Sequence, residues 1–146
     1  RGYFGGRGSG KTLVGAYDLL TRARAVRNRK FMILAPTYGL LETVAWDTFI
    51  ALADQMGAIR RYNRSKLHIT LDSGSKVIGK SAEFPNRLRG PSYSGAWIDE
   101  AQECDHAAYQ VSIATLREAG QMGWLTATFT PRGKEHWTYK VFGLAE

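Results

Sequence analysis

A chain of 146 residues with 44% hydrophobic and 23% charged side chains has ordinary globular proportions, which exclude a fibrous repeat or a disordered tract and leave room for one domain with a core. No apolar run approaches the roughly 20 residues of a membrane helix, the N-terminus lacks the regions of a signal peptide, and one cysteine, Cys104, can form neither an internal disulfide nor a thiolate zinc site, so no membrane and an intracellular setting are expected. Twenty basic against 13 acidic side chains give +7, clustered in Arg22, Arg24, Arg27, Arg29 and Lys30 and again in Arg60, Arg61, Arg64 and Lys66, which suits a polyanionic partner, although basic residues at a helix C-terminus also offset the macrodipole without any ligand.

Arg1 to Phe4 read as the end of a strand, as though the chain begins inside an element that started upstream. From Lys11 the apolar positions Leu13, Val14, Ala16, Tyr17, Leu20 and Ala23 recur at helical spacing, predicting a helix to about Arg27 with Asn28 as its stop. Phe31 to Ala35, ended by Pro36, suits a buried parallel strand. Leu41, Val44, Ala45, Thr48 and Leu52 mark one face of a second helix from about Gly39 to Met56, terminated at Gly57. Leu67, Ile69 and Leu71, the turn Asp72-Ser73-Gly74, then Val77 and Ile78 describe a β-hairpin. The stretch from Glu83 to Ser94 is expected to be a loop, Gly95 to Ile98 a strand, Asp105 to Ala119 a helix capped by Asp105, and Trp124 to Phe129 a strand closed by Pro131. Helices alternating with short buried strands imply an α/β fold with a mostly parallel sheet covered on both faces and an inserted β-hairpin, in which ligands sit beyond the carboxyl ends of the strands.

Gly5-Gly6-Arg7-Gly8-Ser9-Gly10-Lys11-Thr12 satisfies the phosphate-binding pattern G-x-x-x-x-G-K-[ST] and falls between a strand end and a helix start, the context the pattern needs. Glycines let the backbone turn its N–H groups toward phosphates, and the helix N-terminus adds its positive end. Lys11 is expected at the β- and γ-phosphates of ATP and the Thr12 hydroxyl on Mg²⁺. Asp99 and Glu100 end an apolar strand at its carboxyl edge, which assigns Asp99 to the Mg²⁺ and Glu100 to the attacking water as general base. Thr126 to Pro131 end the next strand with hydroxyls, and Thr128 is a candidate contact to the γ-phosphate or the water. His68, His106 and His136 are too scattered for a metal site, and Trp46, Trp97, Trp124 and Trp137 read as core or interface aromatics.

With Ile33-Leu34-Ala35-Pro36-Thr37, Leu88-Arg89-Gly90-Pro91, Ala96 to Ala101 and Lys134-Glu135-His136-Trp137 added, these motifs resemble the ATPase domain of tailed-phage large terminase subunits over almost the whole chain. The arginine inside the P-loop, Arg7, and the Arg89-Gly90 pair before the two carboxylates look particularly like that family. The resemblance implies a P-loop NTPase of the ASCE/RecA-like, three-layer α/β/α kind, working in a homo-oligomeric ring that pumps double-stranded DNA into a procapsid. It further implies portal protein and small terminase subunit as partners, and the cytoplasm of an infected bacterial host as its place. Arg7 is then expected to act on its own nucleotide and Arg89 on a neighbouring subunit's, with a solvated loop or a DNA contact as the alternative for Arg89. The nuclease domain and the adenine-contacting segment of such proteins are expected outside residues 1–146. Asp99-Glu100-Ala101-Gln102 also resembles the motif of nucleic-acid helicases, and a nucleotide-gated DNA-binding module without turnover is the reading from a different class.

Overall fold

Phe31, Ile33 and Ala35 of strand β2 (Lys30–Ala35) face one apolar cluster and Met32 and Leu34 the other, and all five are buried, so the strand requires cover on both sides. A computed structural model, which describes residues 1–143, supplies that cover. One face carries helices α1 (Lys11–Arg24) and α3 (Asp47–Gln55), the second continuing a short helix α2 (Tyr38–Leu40) through a π-helical stretch Leu41–Trp46. On the opposite face lie α4 (His106–Thr115), α5 (Trp137–Phe142) and a 3-10 turn Pro85–Leu88.

The remaining strands are β1 (Gly2–Phe4), β3 (Ile59–Asn63), β4 (His68–Leu71), β5 (Lys76–Ser81), β6 (Gly95–Ile98) and β7 (Trp124–Phe129). They form one sheet in the order β1-β7-β6-β2-β5-β4-β3, parallel from β1 to β5 and antiparallel from β5 to β3. Phe4 pairs with Phe129 and Ile98 with Ala127, so the loops after β1, β6 and β7 leave the sheet at the same edge. That register brings the sequence motifs together.

The three-layer α/β/α arrangement and the β4–β5 hairpin agree with the sequence reading, and four local features differ. Helix α1 ends at Arg24, not Arg27, because the Ser73 and Ser75 hydroxyls donate to the carbonyls of Ala23 and Val26 and Asn28 turns left-handed at φ 54°. The helix expected over 105–119 stops at Thr115, where the Thr115 carbonyl accepts from Tyr93 N and Leu116 leaves helical geometry. Asp105 occupies the N-cap position of α4 but its side chain makes no capping bond. Strand β3 and helix α5 were not anticipated: β3 is an exposed edge with no apolar alternation, and α5 is held by Trp137 and Phe142 packing on His106 and Tyr109 of α4.

Candidate active site

The loop Gly5 to Gly10 leaves β1 and delivers the chain into α1. Gly8 and Gly10 have φ of 75° and 77°, a region costly for residues with a Cβ, which is why the pattern demands glycine there. Ser9 N donates to Gly6 O at 3.3 Å and closes the loop, while Lys11 Nζ reaches back to the same carbonyl at 2.8 Å. No acidic residue stands in the first turn of α1 and no side chain caps it, so the positive end of the helix faces the mouth of the loop. Arg7, Gly8, Ser9, Gly10, Lys11, Thr12, Leu13, Thr48 and Glu100 line a cleft of about 520 Å³.

Asp99 forms the inner wall of this end of the sheet and is only 3% exposed. Its Oδ1 accepts from Thr128 Oγ1 at 2.7 Å, and Thr12 Oγ1 donates to Oδ1 and Oδ2 at 3.2 and 3.3 Å. Thr128 is itself fixed, since its Oγ1 accepts from Trp97 Nε1 at 2.9 Å. Trp97 in turn fits only because α1 presents Gly15 to it: a Cβ there would lie 2.2 Å from Trp97 Nε1. Burial pushes the Asp99 carboxyl above its ordinary value, the neighbouring Glu100 adds to the rise, and the two threonine hydroxyls oppose it. A hydroxyl and a carboxylate in contact, with burial raising the cost of the bare charge, are a hard-oxygen pair that suits Mg²⁺.

Thr128 is therefore behind Asp99, fully buried, and its hydroxyl is given to that carboxylate; the sequence had suggested a contact to the nucleotide itself. Glu100 borders the cleft and adopts φ 49°, ψ 45°, an uncommon conformation for a residue with a Cβ. Gln102 was not singled out from sequence. Its Nε2 donates to Glu100 Oε2 and its Oε1 accepts from Thr130 N at 3.0 Å, so one buried amide joins the Glu100 side chain to the segment after β7. Cys104 packs behind with its thiol pushed up to about 12, by burial first and then by Asp99 and the neighbouring acids, which makes it unreactive.

Of the two candidate arginines, the structure brings Arg7 to the cleft and leaves Arg89 away from it. Arg89 is exposed, extended at φ −71°, ψ 153°, just beyond the Pro85–Leu88 turn and before Gly90 at φ 112°. Gly5 and Gly6 belong to the loop, and Gly5 approaches Ser9 so closely that a Cβ would lie 2.8 Å from its Oγ.

A mostly parallel sheet, a glycine loop opening α1 and a carboxylate at the neighbouring strand end that bonds the helix's first hydroxyl define a RecA-like P-loop NTPase fold. The chain belongs to the terminase large subunit family: the family described as terminase large subunit, T4likevirus-type, N-terminal, matches residues 3–143. No curated protein matches it in sequence. Among solved structures, the large terminase of a thermophilic bacteriophage superposes with a TM-score of 0.87 at 16% identity, over 97% of this chain and 36% of that one. The large terminase ATPase domain of Thermus phage P74-26 gives 0.74 at 25% identity, over 97% and 62%. The first of these relatives has also been solved with ATP-gamma-S, at a TM-score of 0.76 and 18% identity, over 97% and 34%. The chain thus spans about a third of the thermophilic-phage terminase and under two thirds of the P74-26 domain.

Proposed function

We propose that this chain hydrolyses Mg²⁺-ATP and that hydrolysis powers the movement of double-stranded DNA into a procapsid, as the ATPase part of a large terminase. The observation that carries the reading is the contact of Thr12, in the glycine loop, with Asp99 at the end of β6, while Glu100 borders the same cleft as Lys11. Membership of the terminase family and the nucleotide-bound thermophilic-phage relative support it. The family match also favours a packaging motor over the helicase reading.

In this mechanism the backbone N–H groups from Gly6 to Gly10 and the start of α1 cradle the phosphates. Lys11 exchanges its bond to Gly6 O for the β- and γ-phosphate oxygens. Thr12 and Asp99 hold the Mg²⁺, which when bound neutralises charge developing on those oxygens. Glu100, aimed by Gln102, orients the attacking water and takes its proton as the water oxygen bonds to the γ-phosphorus and the bond to the ADP oxygen breaks. Arg7 steadies the γ-phosphate from within its own loop. Arg89 reaches into the site of the next subunit in a homo-oligomeric ring, where an arginine finger is worth roughly 10³ to 10⁵ in rate. Portal protein and small terminase subunit are the partners of that ring, in the cytoplasm of an infected bacterium.

The test is packaging. Full-length protein, procapsids, duplex DNA and ATP should yield nuclease-protected DNA, and Lys11→Ala should yield none. Protection at the wild-type level in Lys11→Ala would contradict the reading. Mixing Arg89→Ala with Lys11→Ala subunits should restore ATP turnover that neither has alone; co-assembly without recovery would return Arg89 to a role within its own subunit.

A further inference from the structure

Helices and turns cover both faces of the sheet around β2, but one face of its antiparallel end is bare. Pairing across β3, β4 and β5 sets Arg61, Thr70 and Lys76 in one row and Asn63, His68 and Ile78 in the next, with Lys80 two residues further along β5. The other side of the same strands, Tyr62, Ile69 and Val77, turns to Trp46 and the core. On the bare side Arg61, Asn63, His68, Thr70, Lys76 and Ile78 border a shallow groove of about 230 Å³. Neither row contains an acid. Asp72, the one carboxylate between residues 55 and 82, is occupied by Arg24 at 3.1 and 2.5 Å. Among the described residues Arg61, Lys66, Lys76 and Lys80 make no ion pair.

We propose that this uncovered face of β3, β4 and β5 docks the phosphate backbone of double-stranded DNA. Strands lie about 4.8 Å apart, so the cations spread over roughly 10 Å across the strands and about 13 Å along β5. That is an array suited to a line of phosphates and too dispersed for a single anion. The local field is positive enough to act on a neighbour: His68 is held below its ordinary value, by partial burial first and then by Lys80, Lys66 and Lys76.

Other occupants fit less well. A membrane-bound face or a stable protein interface carries exposed apolar anchors. Here Ile69 is buried, Ile78 is half-buried and exposed Tyr62 is on the other side. What the face offers is charge and hydrogen-bond donors, the chemistry of sequence-independent backbone contact. Its position also matters, because only β2 separates β5, which bears Lys76 and Lys80, from β6, which ends at Asp99. The choice of duplex DNA as occupant rests on the translocation reading; the cationic face does not.

The test is the salt dependence of binding to a random-sequence 30-base-pair duplex by the full-length protein carrying Arg61→Ala, Lys76→Ala and Lys80→Ala. Each phosphate contact contributes about 0.9 to the slope of log affinity against log salt, so the triple variant should lose about 2.7 from it. Arg27→Ala, Arg29→Ala and Lys30→Ala remove the same charge elsewhere and should leave the slope within about 0.5 of wild type. The charge-preserving set Arg61→Lys, Lys76→Arg and Lys80→Arg should restore it. ATP hydrolysis without DNA, measured alongside, should match wild type in all three. An equal loss in the control set, or an unchanged slope in the first set, overturns the proposal. So does weakened binding to anionic vesicles with duplex binding intact. If the wild-type protein binds no duplex even at low salt, the translocation reading fails and takes the occupant with it.

Discussion

On the inner wall of the cleft, Asp99 takes hydrogen bonds from Thr12 and Thr128, Thr128 takes one from Trp97, and Trp97 is seated against Gly15. On the rim, Arg7 and Arg89 are exposed, and no side-chain hydrogen bond holds either among the described residues. Sheet packing has set the wall before any ligand arrives, whereas the rim is left for a nucleotide or a neighbouring subunit to order. Pre-organisation belongs where charge must be held at a fixed point, and freedom where two subunits must meet. Glu100 stands between the two regimes, left-handed in backbone and tied to β7 through one amide.

Cutting that tie sharpens the comparison most. A hydrogen bond to a charged group contributes about 1.5–3 kcal/mol, so Gln102→Ala should lower kcat roughly 10- to 100-fold while KM for ATP stays within about twofold. Steady-state kinetics decide it, and an unchanged kcat would mean that Glu100 is positioned without Gln102. A smaller effect is expected from the wall. Gly15→Ala would gain up to about 1 kcal/mol from helix propensity, yet the added methyl meets Trp97 and overpacking costs about 1–3 kcal/mol. Net destabilisation in denaturant titration is therefore expected, and a more stable variant would show that the wall is loosely packed.

Asp99→Asn should have the smallest effect on the metal-free fold, and in a direction that depends on pH. A carboxyl raised above its unfolded value contributes stability that is fully present below that unfolded value and is lost as pH rises through the folded one. With Mg²⁺ chelated, wild type and Asn variant should melt alike in acid, and the variant should melt higher above the ordinary carboxylate range. The reverse order at neutral pH would mean that the threonine hydroxyls outweigh burial.

The wall could be read from sequence and the tie could not, for a physical reason. The glycine loop is contiguous, and Asp99-Glu100 announces itself as two acids ending an apolar strand, so spacing alone placed Lys11, Thr12 and Asp99 at one edge. Gln102 acts through Thr130, 28 residues away, and nothing local distinguishes it from any glutamine after a strand. Strand β3 hides for a related reason: Arg60 and Arg61 face solvent on an edge, where neither alternation nor burial marks a strand. Helix α1 stops short of the position its periodicity suggests because serine hydroxyls about 50 residues on bond its last carbonyls.

The central claim, that Glu100 activates water for ATP cleavage at a site set by Asp99 and Lys11, is tested most directly by Glu100→Gln. Single-turnover measurement of Mg²⁺-ATP in the full-length protein should show wild-type affinity and a cleavage step slowed about 10²- to 10⁴-fold, leaving ATP intact and bound. Cleavage at the wild-type rate with affinity retained would contradict the account and assign the water to another residue.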